Sequence, residues 1–334
     1  MVQKYFEVLN LLGQYQHFAL TTHVNPDGDA LGSELALYSI LKDLGKRVHI
    51  FNTDITPKIY HFLPFQHHIK PPADLKTVYS GIMPEVLVVL DSGSLDRIGD
   101  QLARQLQPTE VIVNIDHHNT ATKFGDLNLI ETGASSTAEI VYRLIQASGL
   151  EVGPERALCL YTGLMFDTGC FRYSNSTSVA HRIAADLIEE GISVDEVYRF
   201  VYDTVPQVRL HLLGDVLQTL ETTEDAKIVW LSVTQDVLKE NRASSNDLEG
   251  FVNYIRSIDS VEVAIVANEL ETGDTKISMR SKTYVDVGQI CRLHDGGGHV
   301  RAAGCLIQEP LHEALAKIVA STRLHIDGWH SESE

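Results

Sequence analysis

Four short runs rich in Val and Ile, at residues 17–24 (HFALTTHV), 46–52 (KRVHIFN), 85–91 (EVLVVLD) and 109–115 (TEVIVNI), have helix-like segments between several of them. Parallel strands cannot be joined by a tight hairpin. Each needs a crossover, and a helix is the usual one. The alternation therefore predicts an α/β domain on a mainly parallel, doubly wound sheet with both faces covered. Residues 154–165 (PERALCLYTGLM) put Ala157, Leu160, Tyr161, Leu164 and Met165 on one helical face, which predicts a buried helix.

A chain of 334 residues is long for one core and comfortable for two. Residues 178–217 form a more polar helical region broken at Gly191 and Pro206. Beyond it, residues 226–233, 261–270 and 275–281 read as strands, 285–293 as a short helix, 294–304 (HDGGGHVRAAG) as a loop and 311–324 as a closing helix. The expected division is a first domain at 1–190, a helical linker at 191–220 and a smaller α/β C-terminal domain at 221–330. Cys159, Cys170, Cys291 and Cys305 form no CxxC pair, and no window has the length of a membrane span. Reduced thiols and a cytoplasmic location are the expectation.

Acidic residues and histidines recur where the predicted strands end. His23, Asp27 and Asp29 follow the first, Asp91 closes the third, and Asp116, His117 and His118 close the fourth, while Asp167 follows the buried helix. In an open parallel sheet the carboxyl ends of the strands share one edge, where ligands bind. A single strand-end Asp is commonly a cap or a turn residue, but that reading gives no reason for three such segments or for paired histidines. Carboxylates this close repel unless a cation sits among them, so the pattern points to divalent metal. The formal charge of −18 argues against a protein that coats long nucleic acid and leaves room for a small anionic substrate.

The stretches HVNPDGDALGS, VLDSGSLDRIG, IDHHNT followed by GASSTAEIVY, and GLMFDTGCFRYSNST resemble, in that order, the four motifs of the DHH phosphoesterase superfamily. ISMRS and GGGHVRAAG resemble its DHHA-type C-terminal domain. The compact two-domain length is most similar to the NrnA-type oligoribonucleases, which are also phosphatases of 3',5'-bisphosphorylated adenosine. The resemblance implies a DHH catalytic domain, a DHHA-type substrate-binding domain and an active site in the cleft between them.

It also implies two divalent ions per active site, with His23, Asp27 and Asp91 on one and Asp29, Asp91, His117 and Asp167 on the other. Mixed imidazole and carboxylate ligation suits Mn2+, with Mg2+ or Co2+ as substitutes. Asp91 then bridges, His118 contacts the phosphate and protonates the leaving oxygen, and Asp116 orients its neighbours. Arg280, Ser281, Gly296, Gly297, Gly298 and His299 are implied to hold the substrate. Ser135, Ser136 and Thr137 read as helix caps, with a phosphate contact as the minor alternative.

The function implied is manganese-dependent hydrolysis of very short oligonucleotides to mononucleotides, and of 3',5'-bisphosphorylated adenosine to AMP. A second reading is hydrolysis of cyclic dinucleotides such as cyclic di-AMP, or of their linear products. A third, of another class, is an inactive nucleic-acid-binding module. The expected partners are short oligonucleotides or small nucleotides, with neither long nucleic acid nor a membrane preferred. Whether the chain forms a homodimer is left undecided by its sequence.

Overall fold

The computed structural model describes residues 2–79 and 83–332. The chain divides into two compact units, Met1–Thr204 and Val205–Glu334. The first carries α1 (Val2–Gln14), β1 (His17–Thr21), α2 (Gly28–Asp43), β2 (Arg47–Phe51), β3 (Ile69–Lys70), α3 (Leu75–Tyr79), β4 (Val86–Leu90), α4 (Asp100–Leu106), β5 (Val111–Asp116) and β6 (Leu127–Ile130). It continues with α5 (Thr137–Ser148), α6 (Gly153–Asp167), α7 (Ser178–Glu189) and α8 (Val194–Val201). The second carries α9 (Gln207–Leu217), β7 (Glu221–Thr222), β8 (Ile228–Val233), α10 (Gln235–Glu240), α11 (Phe251–Arg256), β9 (Val263–Glu269), β10 (Thr275–Ser281), α12 (Val287–Arg292), β11 (Gly297–His299), β12 (Ala302–Ile307) and α13 (Leu311–Glu332).

The sheet of the first unit runs β3-β2-β1-β4-β5-β6, with every pair parallel. Successive strand residues serve opposite faces. Phe18 and Leu20 of β1, and Val86, Val88 and Leu90 of β4, enter the larger core, which they share with α1, α2 and α5–α8. Ala19, Leu87 and Val89 enter a second core capped by α3 and α4. Burial on both faces accounts for near-continuous Val/Leu runs in place of polar alternation, and each large side chain so buried contributes about 1.5–3 kcal/mol.

The strand order reverses between β1 and β4, so the segments leaving these two strands part and open a crevice at their carboxyl edge. Against one side of the larger core α2 and α6 cross closely, because a Cβ on Gly32 would stand 2.3 Å from the Cys159 carbonyl oxygen. The sequence pattern missed β3 and β6, which are only two and four residues long.

The sheet of the second unit runs β11-β12-β10-β9-β8-β7, and only β8 and β9 pair in parallel. Its two faces are covered by α12 with α13 and by α9 with α11. The stretch 294–304, expected to be a loop, instead holds β11 and the start of β12, paired antiparallel with Gly297 opposite Gly304 and His299 opposite Ala302. Glycine-rich strands lack the β-branched side chains by which strands are recognised. The turn after β10 is fixed by Glu262, whose buried carboxylate accepts from the backbone N–H of Thr283, Tyr284 and Val285 at 3.1, 2.8 and 3.0 Å. Among the described residues no helix is long and apolar enough to cross a membrane.

Candidate metal centre

His23, Asp27 and Asp29 lie on the segment leaving β1, and Asp91 on the segment leaving β4, so the strand reversal brings them together. Asp27 caps α2: its Oδ1 accepts from the N–H of Asp29 and Ala30 at 3.0 and 3.1 Å. His23 Nδ1 stands 2.8 Å from the Val24 carbonyl oxygen, which can only accept, so Nδ1 carries the proton. His23 Nε2 is then turned toward Asp27 Oδ2 at 3.8 Å and Asp91 Oδ2 at 3.6 Å. One ligating atom from each of His23, Asp27 and Asp91 lies within 4.8 Å of the others.

A second group meets the same criterion, formed by Asp29, His117 and Asp167. His117 Nε2 stands 3.9 Å from Asp29 Oδ2, 3.4 Å from Asp167 Oδ2 and 3.7 Å from Asp91 Oδ1. Asp91 thus offers one oxygen to each group. Its backbone takes φ +54°, a left-handed value that costs a non-glycine residue on the order of 1 kcal/mol, while its N–H still donates to the Ile115 carbonyl at 2.9 Å.

The electrostatics of these groups are unbalanced. Burial, reinforced by the charges of Asp91 and Asp167, raises the Asp29 carboxyl well above the usual range. Burial with the charges of Asp91 and Asp27 does the same to Asp167. For Asp91, burial is overcome by the hydrogen bond with His23 and by the charges of His118 and His117, which hold it well below that range. Burial works against a charged His23, yet its hydrogen bond with Asp91 and the charge of Asp27 push it up to about 9.

His118 Nδ1 is 2.7 Å from Asp116 Oδ1, which also accepts the His117 N–H at 2.9 Å. Against the cost of burial, this bond and the charge of Asp91 push His118 up to about 10.

Residues to which the sequence assigns no ligand role hold this arrangement together. Ser136 is the α5 cap that the sequence led one to expect. Thr137 is more than a cap residue: its hydroxyl donates to Asp91 Oδ1 at 2.9 Å, and its N–H to Asp29 Oδ2 at 2.7 Å. The Ala138 N–H donates to Asp29 Oδ1 at 2.9 Å. Asn175 Nδ2 donates to the carbonyls of Ser135 and Asp167 at 2.9 and 3.1 Å. Gly163 leaves room for Asp29, since a Cβ there would meet Asp29 Oδ1 at 2.9 Å and Ala138 Cβ at 2.8 Å. None of these carries a charge or a periodicity that sets it apart in the sequence. The only available cue was their position inside GASSTAE, SNST and YTGL.

In the second unit, Arg280 lies on β10 and its Nη1 donates to the Met279 carbonyl at 3.0 Å. Ser281 is buried, and its hydroxyl donates inward to the Val285 carbonyl at 2.6 Å, so it shapes the turn after β10. Of the three glycines expected to leave room for a ligand, two are filled by the neighbouring strand. A Cβ on Gly296 would stand 2.3 Å from the Gly304 oxygen, and one on Gly298, at φ +138°, 2.5 Å from the Ala302 oxygen. Only Gly297 faces open space, and His299 ends β11 beside it.

Residues 17–164 match the family model described as DHH family, N-terminal domain, and residues 213–323 match the DHHA1 domain. The chain is 32% identical over 306 residues to a protein of Thermus thermophilus named bifunctional oligoribonuclease and PAP phosphatase NrnA, covering 91% of this chain and 88% of that one. It is 27% identical to the protein of the same name from Bacillus subtilis, over 90% of this chain and 92% of that one. The crystal structure of an exopolyphosphatase-related protein from Bacteroides fragilis superposes with a TM-score of 0.89 at 29% identity, over 96% of each chain. The chain therefore belongs to the DHH family of phosphoester hydrolases, as a DHH domain followed by a DHHA1 domain.

Proposed function

We propose that the chain is a manganese-dependent phosphoesterase that cleaves very short oligonucleotides to mononucleotides and 3',5'-bisphosphorylated adenosine to AMP. The observation that carries this reading is the meeting of His23, Asp27 and Asp91 with Asp29, His117 and Asp167 at the point of strand reversal. Carboxylates lifted by burial first and by mutual repulsion second, interleaved with neutral-capable imidazoles, fit divalent cations, and the mixture of N and O donors favours Mn2+. His23, Asp27 and Asp91 would hold one ion and Asp29, Asp91, His117 and Asp167 the other. Such ions supply activation of a water and neutralise the charge that builds on the phosphoryl group.

The chain's own groups do the rest. With Nδ1 of His118 committed to Asp116, Nε2 is the nitrogen that would reach the substrate, where it binds a phosphate oxygen and passes its proton to the leaving oxygen. Arg280 can bind a terminal phosphate through its planar fork of donors, and His299 with the open backbone at Gly297 can hold the rest of that end. The names of the relatives from Thermus thermophilus and Bacillus subtilis support the substrate class. The charge of −18 supports a short substrate, since every further phosphate of a long one needs another cation.

The test compares a linear dinucleotide, 3',5'-bisphosphorylated adenosine and cyclic di-AMP at matched concentration with Mn2+. The first two should be hydrolysed and the third spared. Faster turnover of cyclic di-AMP than of either would replace this reading by the cyclic-dinucleotide one.

A further inference from the structure

One residue of the first unit touches two carboxylates of the proposed centre and ligates neither ion in that proposal. We infer that Thr137 is a positioning residue of the metal centre, setting the orientation of Asp91 through its hydroxyl and the placement of Asp29 through its N–H. The inference rests on the metal-binding reading above and goes beyond it by assigning work to a side chain outside the ligand set.

The geometry requires such a group. Asp91 has to present Oδ2 on the side of His23 and Oδ1 on the side of His117, so the plane of its carboxylate must be fixed. Its left-handed backbone aims the side chain but leaves rotation about its own bonds. The Thr137 hydroxyl, 2.9 Å from Oδ1, removes that freedom. Thr137 is itself held firmly, being wholly buried, β-branched and the first residue of α5. Its N–H and that of Ala138 both point at Asp29, and the positive end of a twelve-residue helix adds to their pull on that carboxylate.

The turn that carries Thr137 is braced on three further sides. Ser135 and Asn175 exchange two hydrogen bonds, Ser135 Oγ to the Asn175 carbonyl at 2.6 Å and Asn175 Nδ2 to the Ser135 carbonyl at 2.9 Å. The Ser135 N–H donates to Glu139 Oε2 at 2.9 Å, and Arg143 pairs with both Glu139 and Glu131. His117 Nδ1 stands 3.4 Å from the Ala134 carbonyl oxygen. Segment 134–138 therefore touches His117, Asp29 and Asp91 directly and reaches Asp167 through Asn175.

The experiment is calorimetric titration of the chelator-treated full chain with Mn2+ alone, on wild type, Thr137→Val, Thr137→Ser and Asp91→Asn, with thermal unfolding of each in chelator. Valine keeps the shape and removes the hydroxyl, and serine keeps the hydroxyl. Groups that orient metal ligands commonly account for about 10–100-fold in affinity. Thr137→Val should weaken Mn2+ binding by that factor, and Thr137→Ser should stay within about threefold of wild type, with similar unfolding temperatures in chelator. Wild-type affinity in Thr137→Val overturns the inference, as does an equal loss in both Thr137 variants. If the valine variant does not fold, Thr137→Ala takes its place under the same criteria. Unchanged Mn2+ binding in Asp91→Asn would overturn the metal-binding reading together with the inference. Lost binding there beside intact binding in Thr137→Val overturns the inference alone.

Discussion

The two units treat their polar residues in opposite ways. In the first, His23, Asp29, Asp91 and His117 are buried and Asp27, His118 and Asp167 half-buried, most of them follow the ends of strands, and carboxylates are held by backbone N–H groups, as Asp27 is by Asp29 and Ala30, and Asp29 by Thr137 and Ala138. In the second, Arg280, Gly297 and His299 are half-buried on strands β10 and β11, and the glycines around them mostly serve the packing of β12. Under the proposed function, the two units divide the labour. A site that must hold several like charges in fixed positions needs a rigid, desolvated frame. A site that only grips one end of a substrate can do so with a few side chains at the surface.

The contrast is broken most severely at Asp91. Asp91→Asn keeps the size of the side chain and removes the charge both groups share, so turnover of a dinucleotide should fall by at least about 1000-fold while the fold persists. Steady-state kinetics and circular dichroism check this together. A next, smaller effect is expected from the frame itself. Gly163→Ala forces a methyl against Asp29 Oδ1 and Ala138, and should cost about 1–3 kcal/mol in urea unfolding and roughly tenfold in kcat.

In the second unit Arg280→Ala should raise KM by about tenfold and leave kcat within a factor of about three, the signature of lost binding without lost chemistry. A collapse of kcat at constant KM would erase the contrast between the units. The smallest effect concerns Glu34, fully buried in α2, with Oε2 accepting from Asn52 and Oε1 without a hydrogen-bond partner among the described residues. Burial, against the Asn52 hydrogen bond and the charge of His23, pushes its carboxyl from an ordinary 4.5 up to about 8. Its contribution is complete below pH 4.5 and is lost as pH rises toward 8, because the unfolded chain releases the proton first. Glu34→Gln should therefore gain at least about 1 kcal/mol on the wild type in urea unfolding between pH 5 and pH 8.5.

Much of this was legible in the residues. The parallel sheet announced itself through apolar runs buried on both faces, and the strand-end positions of Asp91 and His117 followed from where those runs stop. The breaks at Gly191 and Pro206 correspond to the loop after α7 and to the residue that opens α9. The bracing was not legible. Thr137, Asn175 and Gly163 act through hydrogen bonds and clearances between segments remote in sequence, and no local periodicity encodes which neighbour a buried hydroxyl will meet. The hairpin at β11 and β12 was hidden for a related reason, since its glycines are dictated by the strand beside them.

In the proposed function, six side chains of the first unit hold divalent ions on which hydrolysis depends. The most direct test of this is to strip the purified chain by exhaustive chelation, titrate it with Mn2+ in a calorimeter, and assay dinucleotide hydrolysis at each point. Two Mn2+ per chain should bind, with activity absent at the start and rising with occupancy. Full activity in the stripped protein, or no saturable Mn2+ binding, would contradict it.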